Sequence, residues 1–111
     1  FMAKFANQKN ILFVPTVSPG YNDSIVNQWN IRYTTPRECS KYYNTRWEKA
    51  IKTGSNVILV NSFNGWKEAT NIEPAENRQG FALTNDNWCN NDEDYYIKVT
   101  KEWVSKFKGN K

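Results

Sequence analysis

Two uninterrupted apolar runs set the strongest limit on what this chain can fold into. Ile11-Leu12-Phe13-Val14 and Val57-Ile58-Leu59-Val60 offer no polar side chain to turn toward water. A strand without alternation is one covered on both faces, the condition of parallel strands packed between helices. A parallel pair needs a long crossover, usually a helix. Lys41 to Thr53 supplies one: its apolar residues Tyr43, Trp47, Ala50 and Ile51 recur at helical spacing, with Ser40 as N-cap and Gly54 just past the end. Phe1, Met2 and Phe5 have the spacing of a helix end ahead of the first strand. A last helix is predicted after Asp92-Glu93-Asp94, with acids in its first turn. Its apolar stripe runs through Tyr96, Val99, Trp103 and Phe107, and Gly109 closes it. The order is helix end, strand, loop, helix, strand, loop, helix.

This is an α/β pattern, yet two strands alone make a poor sheet. A complete eight-stranded barrel of such units takes about 250 residues. A chain of 111 residues can supply only the last strands and helices of a (β/α)8 TIM barrel. Residues 1–111 are therefore read as the C-terminal part of a single domain, and an opening Phe rather than Met fits residues missing upstream.

Composition narrows the function further. Aromatics make up 15%, with five Trp and six Tyr against only five Gly, which excludes a disordered or low-complexity chain. There is no histidine, so Ser-His-Asp and Cys-His catalysis and the usual zinc sites are absent from this chain. No metal or organic cofactor is expected. The longest apolar runs fall far short of the ~20 residues of a membrane helix, and no signal peptide is visible. The net charge of +4 is mild. Its densest stretch (Lys98, Lys101, Lys106, Lys108 and Lys111) reads as a solvated helix face complementing the dipole. No nucleic-acid motif accompanies it, so nucleic acid is not expected as a partner. Cys39 and Cys89 could form one disulfide, but two cysteines are too few for a disulfide scaffold or a metal cluster. They are read as ordinary small residues.

Active sites of barrels are built at the C-terminal ends of the strands. Here those ends are Pro15 to Tyr21, which opens a long loop reaching about Ser40, and Asn61 to Glu68, which opens another reaching about Asn90. Both are dense in groups suited to sugars. Tyr21, Trp29, Phe63 and Trp66 can stack on a pyranose, and Asp23, Asn61, Asn64 and Glu68 can hydrogen-bond its hydroxyls. On residue types alone, the same aromatics could equally be core and the amides mere strand ends. A glycosidase needs two carboxyl groups flanking the scissile bond, and the candidates are Glu68, Glu73 and Asp23.

The two strand-end segments carry a resemblance. Pro15-Thr16-Val17-Ser18-Pro19-Gly20-Tyr21-Asn22-Asp23 resembles the P-S-V-G-P-G-Y-x-D segment of glycoside hydrolase family 99, the glycoprotein endo-α-1,2-mannosidase family. Trp29-Asn30 follows as in that family's I-R-P-W-N, and Lys41-Tyr42-Tyr43 as in its G-x-Y-Y. The run from Ser62 through Phe63, Asn64, Gly65, Trp66, Lys67, Glu68, Ala69 and Thr70 to Ala75 is similar to its S-F-N-E-W-x-E-G-T-x-I-E-P-A. Tyr95, Tyr96, Thr100 and Trp103 match its closing Y-L-x-L-T-x-x-W. The likeness spans nearly the whole chain in the correct order.

The resemblance implies a (β/α)8 barrel that cleaves an α-1,2-mannosyl linkage within mannose-containing N-glycans, with retention of configuration. In that family the substrate's own 2-hydroxyl attacks the anomeric carbon. One Glu acts as its base, and a second, three residues on, acts as general acid and then base. The second maps onto Glu68; the first maps onto Gly65, which has no side chain. The family's arginine before P-W-N falls on Asn27, its proline on Gln28, and the glycine after the second Glu on Ala69. The implied sugar contacts are Tyr21, Asp23, Trp29, Asn64 and Trp66, and the implied partner is a mannose-containing glycan. An impaired enzyme is the expectation, since losing a general base costs about 10²–10⁴ in rate. The alternative is a non-catalytic glycan-binding relative. Eukaryotic members are Golgi-lumenal, which implies a Golgi location with any anchor outside this chain.

Overall fold

The computed structural model describes residues 1–24, 27–76 and 88–109. Most of the end of the second irregular stretch (residues 77–87) and Lys111 lie outside the described residues. Five elements occur in the order α1 (Met2–Gln8), β1 (Thr16–Val17), α2 (Lys41–Lys52), β2 (Leu59–Val60) and α3 (Tyr95–Gly109). Short 3-10 turns lie at Gln28–Tyr33 and Cys89–Asn91. The strands pair in parallel, Thr16 with Leu59 and Val17 with Val60, with α2 as the crossover.

The first strand lies further along than Ile11–Val14, where the apolar run predicts it. The Ser55 hydroxyl donates to the Phe13 carbonyl at 2.6 Å, a side-chain bond in place of a ladder rung. Pairing begins where the Leu59 N–H reaches the Pro15 carbonyl at 3.0 Å and continues where the Asn61 N–H reaches that of Val17 at 2.8 Å. Within these 111 residues alone, the two faces are not both covered. Val17 is fully buried, but Leu59 is 55% exposed, and Ile11, Leu12 and Val57 are exposed as well.

The core is aromatic. Val17, Tyr43, Trp47, Ala50, Ile72, Trp88 and Tyr96 form one buried cluster, with Trp103 and Phe107 packed against it. Trp47 and Trp103 stack with ring centroids 6.3 Å apart and planes 3° from parallel. Trp103 also donates its indole N–H to Asn44 Oδ1 at 2.7 Å, and the Tyr43 and Thr100 hydroxyls share a bond of 3.0 Å. These contacts dock α2 against α3 along the face that the sequence periodicity marks out. Removing the buried Trp47 side chain costs about 3–5 kcal/mol.

Local sequence readings fare unevenly. Ser40 sits at the α2 N-cap, but with φ 64° and no side-chain cap bond; its hydroxyl bonds the Tyr95 hydroxyl at 2.9 Å instead. The acids Asp92 to Asp94 precede α3 rather than forming its first turn, and Asp92 Oδ1 accepts the Asp94 N–H at 3.1 Å. Lys106 and Lys108 lie in the last turn of α3, where they complement the dipole. Lys98 lies near the other end, where Asp92 offsets it at 2.7 Å. That bond pulls the Asp92 carboxyl below, and the Lys98 ammonium above, their ordinary ranges.

Cys39 and Cys89 are joined in a disulfide, with Cα atoms 5.2 Å apart. This corrects their reading as ordinary small residues. The bond ties the entry of α2 to the segment leading into α3.

Candidate active site

The segment after β2 is held by its own polar groups. The Ser62 N–H donates to the Thr70 carbonyl at 3.0 Å, the Thr70 N–H to the Gly65 carbonyl at 2.9 Å, and the Ile72 N–H to the Ser62 carbonyl at 3.0 Å. Inside this loop the Ser62 and Thr70 hydroxyls share a bond of 2.8 Å, and the Gly65 N–H donates to Ser62 Oγ at 2.8 Å. Glu68 is half-buried, with Oε1 at 3.5 Å from the Thr70 hydroxyl.

Gly65 lies within this hydroxyl cluster. A Cβ placed there would overlap Ser62 Oγ and Thr70 Oγ1 and lie 2.6 Å from Glu68 Oε1. Glycine at this position therefore does more than omit a carboxylate. The neighbouring hydroxyls have closed on the space where a side chain would begin.

The loop after β1 meets this segment through its backbone, the Asn22 N–H donating to the Glu68 carbonyl at 2.8 Å. Tyr21 forms an antiparallel bridge with Thr35. Asp23, 7% exposed, accepts the Asn27 side-chain amide on Oδ2 at 2.9 Å. Asn27, where the resembling family has arginine, is thus a partner of Asp23. Trp29 stands on the 3-10 turn and is 75% exposed. Asn64 is exposed, and its carbonyl accepts the Trp66 N–H at 2.9 Å. Trp66 donates its indole N–H to Glu73 Oε2 at 2.8 Å, leaving part of its ring in solvent.

The sequence reading passes over Arg37, which is 3% exposed. Its Nη2 donates to the Ala69 carbonyl at 2.9 Å and to Asn71 Oδ1 at 3.0 Å. Its guanidinium carbon lies 4.5 Å from the Trp88 ring centroid and 4.6 Å from that of Tyr96. Burial pushes the Tyr96 phenol up, and the charge of Arg37 pulls the other way. Gly20 is needed beside it: a Cβ there would lie 2.8 Å from Arg37 Cγ and 2.9 Å from the Thr35 carbonyl oxygen. A lone Arg in a long loop carries no local signal of this role. Its stacking partner Trp88 is remote in sequence.

Among the described residues no cluster of His, Cys, Asp and Glu is arranged to hold a metal, and no helix is long and apolar enough to cross a membrane.

Comparison with known proteins agrees with this layout. The sequence model of glycosyl hydrolase family 99 matches residues 1–109. A glycoprotein endo-alpha-1,2-mannosidase-like protein of Danio rerio is 35% identical over 103 residues, 93% of this chain and 23% of the relative. The glycoprotein endo-alpha-1,2-mannosidase of Xenopus laevis is 32% identical over 106 residues, 96% of this chain and 24% of the relative. In structure the chain is similar to the endo-alpha-mannosidase of Bacteroides thetaiotaomicron, with a TM-score of 0.90 and 37% identity over 99% of this chain and 32% of that one. The chain thus spans about a quarter of the length of these curated relatives and a third of the solved structure. Its parallel strands and helices are part of a family 99 TIM barrel. On sequence and architecture together, the chain belongs to glycosyl hydrolase family 99.

Proposed function

We propose that the full-length protein acts on mannose-containing N-glycans as a retaining endo-α-1,2-mannosidase, impaired by the loss of one carboxylate. Glu68 is the general acid that protonates the leaving oxygen and then the base that activates water. Tyr21, Asp23, Trp29, Asn64 and Trp66 are the sugar contacts. The observation that carries this reading is the joining of the two strand-end loops at Glu68, whose carbonyl takes the Asn22 N–H at 2.8 Å. That bond sets the Tyr21–Asp23 segment against the backbone of the half-buried Glu68.

Gly65 favours a second reading, a glycan-binding relative without turnover. Position 65 has no carboxylate, and the Ser62 and Thr70 hydroxyls occupy the space around it. The Cys39–Cys89 disulfide supports an oxidising compartment for either reading, which fits the Golgi lumen.

Release of a glucosyl-mannose product by the full-length protein tests both. Turnover about 10²–10⁴ below a complete catalytic pair, lost in Glu68→Gln while glycan binding persists, supports the impaired enzyme. Raised turnover in Gly65→Glu combined with Ser62→Ala supports position 65 as the missing base. Glycan binding with no turnover by the unsubstituted protein supports the second reading. Absence of any mannoside binding removes both.

A further inference from the structure

The chain following Glu68 takes an unfavourable path. Ala69 has φ 52°, the left-handed region that side chains other than glycine avoid. Ala69, Thr70 and Asn71 are all buried, so the turn that follows Glu68 is fixed inside the protein and sets where its carboxylate can reach. Two successive carbonyls hold it. That of Glu68 takes the Asn22 N–H, and that of Ala69 takes Arg37 Nη2 at 2.9 Å. The same Nη2 reaches Asn71 Oδ1 at 3.0 Å, bridging the turn from behind.

We propose that Arg37 is the positioning residue for Glu68, locking the left-handed turn at Ala69 from a seat between Trp88 and Tyr96. The seat is rigid. The guanidinium lies over both rings, and its stem passes so close to Gly20 that a Cβ there would not fit. One buried cation therefore connects the loop after β1, the loop after β2 and the start of α3. A charged donor suits this role because its hydrogen bonds are stronger and more directional than neutral ones, and a planar guanidinium can stack and donate at once. Lysine keeps the charge and loses that planar geometry.

The inference rests on the reading of Glu68 as the acid/base, and its test separates the two. The full-length protein is labelled with glutamate carrying ¹³C at the side-chain carboxyl, and the Glu68 signal is assigned by its disappearance in Glu68→Gln. In Arg37→Met that signal is expected to move toward the position of solvent-exposed glutamates and to broaden. In Arg37→Lys the displacement is smaller. A Glu68 signal unchanged in Arg37→Met, even with a lower melting temperature, overturns the proposal and leaves Arg37 a packing residue. If Arg37→Met does not fold, Arg37→Lys decides: an unchanged Glu68 signal there overturns the proposal equally. The signal is read without turnover. Should Arg37 variants move it while Glu68→Gln leaves product release intact, positioning stands and the acid/base reading falls.

Discussion

Trp66 holds Glu73. The indole N–H meets Glu73 Oε2 at 2.8 Å, and the Asn27 amide meets Asp23 Oδ2 at 2.9 Å in the neighbouring loop. Asp23 and Glu73 are the two candidates that the sequence offers beside Glu68, and each is engaged by a donor. Glu73→Gln in the full-length protein is therefore expected to leave product release unchanged. A loss of about 10²-fold or more would identify Glu73 as the base.

Gly65 is confined by its neighbours. Gly65→Ala is expected to lower stability by about 1–3 kcal/mol, the ordinary cost of forcing an extra carbon into a filled space. Adding Ser62→Ala removes one of the two overlapping hydroxyl oxygens and should return part of the loss. Equal denaturation midpoints for Gly65→Ala and the unsubstituted protein would show that the loop opens freely.

Ala69 offers the reverse case. At φ 52° the methyl group is unfavourable by roughly 1–2 kcal/mol, a cost reduced by the unfolded-state entropy that glycine would add. Ala69→Gly is expected to stabilise the full-length protein by about 0.5–1 kcal/mol in denaturant unfolding. A destabilisation would mean that the Ala69 methyl makes packing contacts worth more than the strain.

The disulfide closes a loop of 50 residues. Chain-entropy reasoning puts its contribution near 4 kcal/mol, within the ~2–5 kcal/mol usual for removing a native bond. Cys39→Ser with Cys89→Ser should lower the melting temperature, and a reducing agent should do the same to the unsubstituted protein but not to the double variant. Identical melting of the oxidised, reduced and double-variant forms would show that the bond does not form in solution.

Much of this architecture is legible in the sequence because its signals are local. The apolar spacing of Tyr43, Trp47 and Ala50, and of Tyr96, Val99 and Trp103, marks both packed helix faces. Val57–Val60 contains the second strand, and the run Ser62–Ala75 carries the family pattern. The failures share a cause: each depends on a partner distant in the chain. Ser55 takes the Phe13 carbonyl, and the first strand lies past Pro15 at Thr16–Val17. Cys39 meets Cys89 only when α2 and α3 dock, and Arg37 gains its role only between Trp88 and Tyr96. Ser40, a fair cap by residue type, ends a left-handed run from Glu38 and bonds Tyr95 through its hydroxyl instead of capping α2.

The parallel pairing of Thr16 with Leu59 and Val17 with Val60 bears on when the site comes into being. Neither rung is a neighbour contact, because α2 and its flanking loops must be gathered before the strands can meet, and such closures are slow relative to helix formation. The stack of Trp47 on Trp103 spans more chain still, so the individual helices form first and the loop bearing Glu68, which needs both long-range contacts, is completed late. Substitutions that weaken α2 or α3 as isolated helices should slow folding, whereas those around Glu68 should chiefly hasten unfolding.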